Sequence, residues 1–154
     1  MNILSQYNSW NDLNIHLTLL TTSGKSKEAG DIFESVCKYY LETTPHYKSK
    51  LKNVWLLSEI SEKIKSKINL PSRDEGIDLI AETKDGNFWS IQSKYRSDPE
   101  TTLTIKGDLA TFANLSFNHC KNISHGLVLT TSDRPPSKSK YLNNIGFDLS
   151  LIHI

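Results

Sequence analysis

The stretch from Glu75 to Arg96, EGIDLIAETKDGNFWSIQSKYR, constrains the fold more than any other part of the chain. It reads as a β-hairpin: an apolar run over 77–83, a turn at Lys84-Asp85-Gly86, and a second strand over 87–95. Asp-Gly between two β-rich runs is a strong short-range hairpin signal, because glycine accepts the left-handed backbone such turns demand. With a three-residue loop and Gly86 left-handed, Thr83 pairs with Asn87. Asp78 then falls opposite Gln92, with Lys94 on the diagonal. Side chains alternate faces with period two, so this register puts Asp78, Gln92 and Lys94 on one face. A two-residue loop would move the register by one and send Asp78 to the other face. We take the three-residue loop, because it collects the three polar groups in one place.

Ser90, Gln92 and Lys94 alone fit a half-solvated strand. Asp78 changes that balance, since it interrupts Ile77-Asp78-Leu79-Ile80, otherwise the pattern of a buried strand. A carboxylate there must be paired, hydrogen-bonded or bound to a cation. A carboxylate, a carboxamide oxygen and a lysine on one patch can bind a hard divalent cation and a phosphate together.

Gly76-x-Asp78, a short hairpin and then Gln92-Ser93-Lys94 resemble the PD-(D/E)xK nuclease motif. Gln at the second acidic position is typical of the Mrr-like branch. The stretches Gly30-Asp31-Ile32-Phe33-Glu34, Val54-Trp55-Leu56, Gly76-Ile77-Asp78-Leu79 and Trp89-Ser90-Ile91-Gln92-Ser93-Lys94 follow in an order similar to one particular relative. That relative is the N-terminal nuclease domain of Type ISP restriction-modification enzymes and helicase-linked restriction proteins. Two departures stand out: no Pro precedes Asp78, and Gln92 replaces an acid.

The resemblance implies a restriction-endonuclease-like α/β fold, a mixed sheet of about five strands flanked by helices. It implies a metal-dependent DNA endonuclease leaving 5′-phosphate and 3′-hydroxyl ends, with Asp78, Gln92, Lys94 and Glu34 as its catalytic set. Mg²⁺, or Mn²⁺ in its place, would be held by Asp78, the Gln92 carboxamide, the Ser93 carbonyl and Glu34. Lys94 would orient the attacking water. The implied partners are double-stranded DNA and tethered helicase/translocase, methyltransferase and target-recognition domains, with ATP acting only through those absent domains. The implied location is a bacterial cytoplasm.

Upstream, Trp10, Leu13, Leu17 and Leu20 recur at helical spacing over 9–20, followed by a polar break over 21–26. Gly24-Lys25-Ser26 ends like a phosphate-binding loop, but Leu19 stands where that motif needs Gly, so no nucleotide site is expected. Residues 1–25 are read as an N-terminal helix and linker, and 26–154 as the nuclease core. Residues 27–43 form a second helix with an apolar stripe of Phe33, Val36, Cys37, Tyr40 and Leu41. Glu34 sits at the edge of that stripe, about 20° beyond Leu41 on a helical wheel. An edge position reaches a neighbouring cleft or solvent. Alone it would be a surface residue, and the resemblance makes it a site member.

Pro45 ends the helix, and Lys48, Lys50 and Lys52 follow as a solvated face or a DNA contact. Residues 53–60 are read as a strand, 61–69 as a polar insertion (one helical turn or a loop), and Arg73 as preceding the hairpin. After it come a loop over 97–102, a crossover helix over 104–119 and an apolar, central, parallel strand over 126–131. A short helix over 137–144 capped by Gly146 and a strand over 147–154 complete the reading. Ending inside a strand suggests a piece of a longer protein. Arg73, Arg96, Lys48, Lys50, Arg134 and Lys138 are the candidate DNA contacts.

At 154 residues the chain is one domain with room for a core. A net charge of +1 is not that of a strongly basic nucleic-acid binder, although a local patch suffices to contact phosphates. Cys37 and Cys120 fit a reduced chain, and five scattered histidines offer no zinc-ligand spacing. No apolar run reaches membrane-spanning length and no signal peptide opens the chain. Two rival readings stand beside the nuclease. One is a DNA-binding module with a decayed site. The other is a protein-interaction domain in which Asp78 and Lys94 form a structural ion pair.

Overall fold

The computed structural model describes residues 3–72, 76–104, 107, 109–134 and 144–149. In chain order the elements are α1 (Trp10–Thr22), α2 (Ser26–Thr43), α3 (Pro45–Lys48), β1 (Leu51–Leu56) and α4 (Glu62–Ile68). Then follow β2 (Leu79–Thr83), β3 (Phe88–Lys94), α5 (Ala110–Asn114), β4 (Ile123–Thr130) and β5 (Ile145–Asp148). A wider π-type segment, Leu115–His119, continues α5.

The hairpin forms as its turn chemistry demands. Gly86 sits at φ +86°, its N–H donates to the Thr83 carbonyl at 3.0 Å, and the Thr83 N–H donates to Asn87 at 2.8 Å. This is the three-residue loop, and it sets Leu79 opposite Ile91 and Glu82 opposite Phe88. The sheet runs β1-β2-β3-β4-β5. β2 runs antiparallel to both β1 and β3, while β4 is parallel to both of its neighbours. The result is the five-stranded, mixed, restriction-endonuclease-like α/β sheet expected.

Alternation along the strands gives the sheet two apolar faces. Leu79, Ala81, Ile91 and Leu129 pack against α1 and α2 through Leu17, Phe33 and Leu41. Ile80, Phe88 and Val128 pack against Ile68 of α4 and Phe112 of α5. Phe33 is fully buried, with its ring 5.7 Å from that of Tyr95. Truncating such a side chain leaves a cavity that its neighbours fill only partly. Phe33→Ala should therefore destabilise the fold by about 3–5 kcal/mol in a denaturant titration. A loss below about 1 kcal/mol would show that α2 is not seated as described.

Several boundaries differ from the sequence reading, each for a local reason. A new helix, α3, starts directly at Pro45, whose fixed φ suits the first helical turn. The first strand ends at Leu56 and passes into a 3₁₀ turn, Leu57–Glu59. The polar insertion is an ordered helix: the Ser61 hydroxyl accepts the Ile64 N–H, and Asn69 closes it in the left-handed conformation at φ 53°. In the crossover segment the α-helical turns run Ala110–Asn114, preceded by a wider π-type helix at Gly107 and Leu109, and part of the stretch before them lies outside the described residues. Gly146, expected to close a helix over 137–144, lies inside β5 opposite Leu127, where a Cβ would approach His125 Nε2 to 3.0 Å. Residues 137–143 of that helix and 150–154 of the expected last strand lie outside the described residues. Among the described residues, no helix is long and apolar enough to cross a membrane.

Candidate active site

The end of β1, the start of β2 and the carboxyl ends of β3 and β4 meet at one end of the sheet. Asp78 stands there, one residue before β2. Its N–H donates at 2.9 Å to the carbonyl of Ile91, the residue already opposite Leu79. Two residues thus face one, as at a β-bulge, a device that re-aims a side chain. The Asp78 Oδ2 accepts the Ser93 backbone N–H at 2.8 Å and the Ser93 hydroxyl at 3.3 Å. Strand N–H groups lie in the sheet, so this carboxylate sits near the sheet plane at its open end. It lines a pocket of about 320 Å³ with Asp31, Glu34 and Ser35 of α2 and with 56–58. Strict alternation, which put Asp78 on the face of Gln92, does not describe it.

Glu34 is half-buried at the edge of the α2 stripe and shares that pocket with Asp78. One turn on, the fully buried Cys37 feels both carboxylates. Burial first, then the charges of Asp78, Glu34 and Asp148, push its thiol well above its ordinary pKa, so it packs as a neutral group.

Gln92 and Lys94 occupy alternate positions of β3, opposite Val128 and Thr130 of β4. Val128 packs toward α5, which fixes the face that Gln92 presents. Gln92 is only 5% exposed, and its Oε1 has no hydrogen-bond partner among the described residues. A buried acceptor without a donor is costly and needs an explanation. Lys94 is half-buried and forms no ion pair among the described residues. The structural Asp78–Lys94 pair of the protein-interaction reading is therefore absent from them.

The structure divides the candidate DNA contacts. Arg96 follows β3 at the Asp78 end, tied by its N–H to Thr131 at 2.7 Å. Arg134 lies beyond β4 at the same end, 3.8 Å from Glu100 and from Asp133. Lys48 and Lys50 precede β1 at the opposite, hairpin-turn end, where Leu51 pairs with Thr83. Arg73 and Lys138 lie outside the described residues.

Two features escaped the sequence reading. The Asp148 carboxylate accepts hydrogen bonds from the Tyr40 and Tyr47 hydroxyls at 3.1 and 2.5 Å, joining β5 to α2 and α3. Burial, and then Asp148, raise the pKa of Tyr47. Tyr95, next to Lys94, bonds Thr18 at 3.0 Å and Asn14 at 2.9 Å, so α1 braces the end of β3. Both link residues far apart in the chain, and no local pattern announces them.

Among the described residues, no group of three His, Cys, Asp or Glu could hold a metal ion. The donors on offer are mixed: carboxylates at Asp78 and Glu34, a carboxamide oxygen at Gln92 and backbone carbonyls. Such oxygen sets suit Mg²⁺, which takes few protein ligands and keeps its waters. The orphaned Gln92 Oε1 is an acceptor of the kind such an ion uses, but Gln92 presents the α5 face and does not line the pocket that Asp78 and Glu34 share.

A family model described as a restriction endonuclease matches residues 42–149. Among solved structures, the ATP-dependent Type ISP restriction-modification enzyme LlaBIII bound to DNA is similar, at 25% identity and a TM-score of 0.62. The similarity covers 94% of this chain and 8% of that one. No curated protein matches the chain. Glu34 lies before the family match, whereas Asp78, Gln92, Ser93 and Lys94 lie inside it.

Proposed function

The chain belongs to the Mrr-type restriction endonuclease family, and on that premise we propose that it is the metal-dependent, phosphodiester-hydrolysing domain of an ATP-dependent restriction-modification enzyme. The observation that carries this reading is the buried Gln92 Oε1, without a hydrogen-bond partner among the described residues, two residues before Lys94, which has no ion pair among them. An inert interaction domain gains nothing from an orphaned acceptor, while a cation site uses it.

Asp78, Gln92, the Ser93 carbonyl and Glu34 would hold Mg²⁺, with Mn²⁺ as a substitute. When bound, the ion supplies positive charge against the scissile phosphate and acidifies water. Asp78 contributes the negative charge that retains the cation, and the Ser93 N–H fixes its orientation. The Lys94 ammonium, without an ion pair among the described residues, orients the attacking water and offsets charge gathering on the phosphoryl oxygens. Arg96 and Arg134 stand at the same end to meet the DNA backbone. Double-stranded DNA is the substrate, and tethered helicase, methyltransferase and target-recognition segments are the partners.

The test is plasmid nicking by the full-length protein with and without Mg²⁺. Lys94→Ala should slow nicking about 10²–10³-fold, the effect of losing one preorganised charge-stabilising group. Nicking that persists in excess chelator, or a Lys94→Ala variant as fast as wild type, would remove the assignment.

Gln92 also sets an expectation for metal affinity. A neutral amide in place of an acid leaves less negative charge to retain a strongly hydrated ion. Calorimetry on the DNA-free chain should detect no micromolar Mg²⁺ binding, and Gln92→Glu should tighten it. Micromolar binding by the wild type would show that Glu34 contributes more charge at the site than described.

A further inference from the structure

The hairpin-turn end of the sheet, opposite Asp78, carries charge that the active site does not use. The Lys84 N–H donates to the Lys50 carbonyl at 2.9 Å, which draws the segment before β1 against the turn. Lys48, Lys52 and Lys84 line one cavity of about 430 Å³ with Glu42 and Asn53. Lys50 lies close enough to His125, near the start of β4, to add to burial in lowering that imidazole's pKa below 6.5. Around the other face, the Lys67 ammonium stands 5.5 Å from the centre of the Phe88 ring, and the Lys121 N–H donates to Ile68 at 2.7 Å.

All six lysines are exposed, and none forms an ion pair among the described residues. Glu82, which might have neutralised one, is held by Asn53 at 2.9 Å. The hairpin-turn end thus holds Lys48, Lys50, Lys52 and Lys84 alongside Glu42, Glu82 and Asp85, while Asp31, Glu34 and Asp78 stand at the other end with Lys94, Arg96 and Arg134. The two ends are separated by the length of a five- or six-residue strand, roughly 17–20 Å.

We infer that this lysine-rich end is a second contact surface for duplex DNA, distinct from the cleavage site, which grips phosphates without base readout. The identity of the polyanion rests on the nuclease reading above. Lysine is a compact point charge suited to phosphate. A protein partner would instead need apolar anchors within the patch. Among the described residues, the exposed large hydrophobic side chains, Ile15, Leu19 and Tyr39, lie on α1 and α2.

The test is fluorescence anisotropy of a labelled duplex titrated with the chain over a range of salt concentrations. Each neutralised phosphate contributes about 0.9 to the slope of log K against log salt. Replacing Lys48, Lys50, Lys52 and Lys84 together by Gln should lower that slope by about 2–4. Replacing the same four by Arg should retain it, and Lys67→Gln with Lys121→Gln should lower it further. An unchanged slope in the four-fold Gln variant would overturn the inference. So would loss of polyglutamate binding with DNA binding unaltered, which would assign the surface to an acidic protein. Absent cleavage with a slope that still responds to the lysines would strike at the nuclease reading alone.

Discussion

Asp78→Asn in the full-length protein should reduce DNA nicking about 10³-fold or more while leaving the fold intact. Charge stabilisation by a bound divalent ion is worth several kcal/mol of barrier, and each 1.4 kcal/mol is about tenfold in rate. The substitution removes the negative charge that retains the ion. It keeps an oxygen to accept the Ser93 N–H, now held at 2.8 Å. Asp78→Ala should also abolish cleavage, but it leaves that N–H without its partner. The alanine variant should therefore lose about 1–3 kcal/mol of stability in addition. Comparing the two variants by thermal denaturation and by nicking separates the chemical role of the carboxylate from its structural one. An asparagine variant that nicks at the wild-type rate would dismiss Asp78 as a metal ligand.

The second large effect concerns delivery. Residues 1–154 alone should linearise supercoiled plasmid poorly in Mg²⁺ or Mn²⁺ at moderate salt, even with every proposed site residue present. Non-specific binding depends on phosphate neutralisation, with dissociation constants of about 10⁻⁴–10⁻⁶ M. At nanomolar protein such a site is almost always empty. Tethering to a DNA-bound motor would raise the local concentration to about millimolar and fill it, a gain of several orders of magnitude without any new contact. On the proposed function, cleavage by an enzyme that joins this domain to such a motor should depend on ATP. Rapid, stoichiometric linearisation by the 154-residue chain would show instead an autonomous endonuclease.

How much of this was legible follows from how local each signal is. The hairpin register was readable because Asp85-Gly86 dictates the turn, and the turn then fixes every pairing from Thr83 to Leu79. The helix carrying Glu34 was readable from its apolar stripe. The aim of Asp78 was not. It depends on one hydrogen bond to Ile91 that doubles two residues against one, and period-two counting has no means to register that. The α4 helix hid behind a polar sequence, although Ser61 and Asn69 are the capping residues such a helix uses. Gly146 was misplaced because glycine serves both helix ends and tightly packed strands, and only its pairing with Leu127 decides between them. The split of Lys48 and Lys50 from Arg96 and Arg134 required the topology itself.

The bracing of Tyr95 by α1 bears on where this domain can be cut. The family match begins at residue 42, in the last turn of α2, and its outline invites a shorter expression fragment. Such a fragment would discard Asn14 and Thr18, which hold the tyrosine beside Lys94. It would discard Glu34 as well. It would also strip Leu17 and Phe33 from one face of the sheet, leaving Leu79, Ile91 and Leu129 open to water and to aggregation. For cloning, crystallisation or transplantation into another enzyme, the smallest useful unit begins before Trp10.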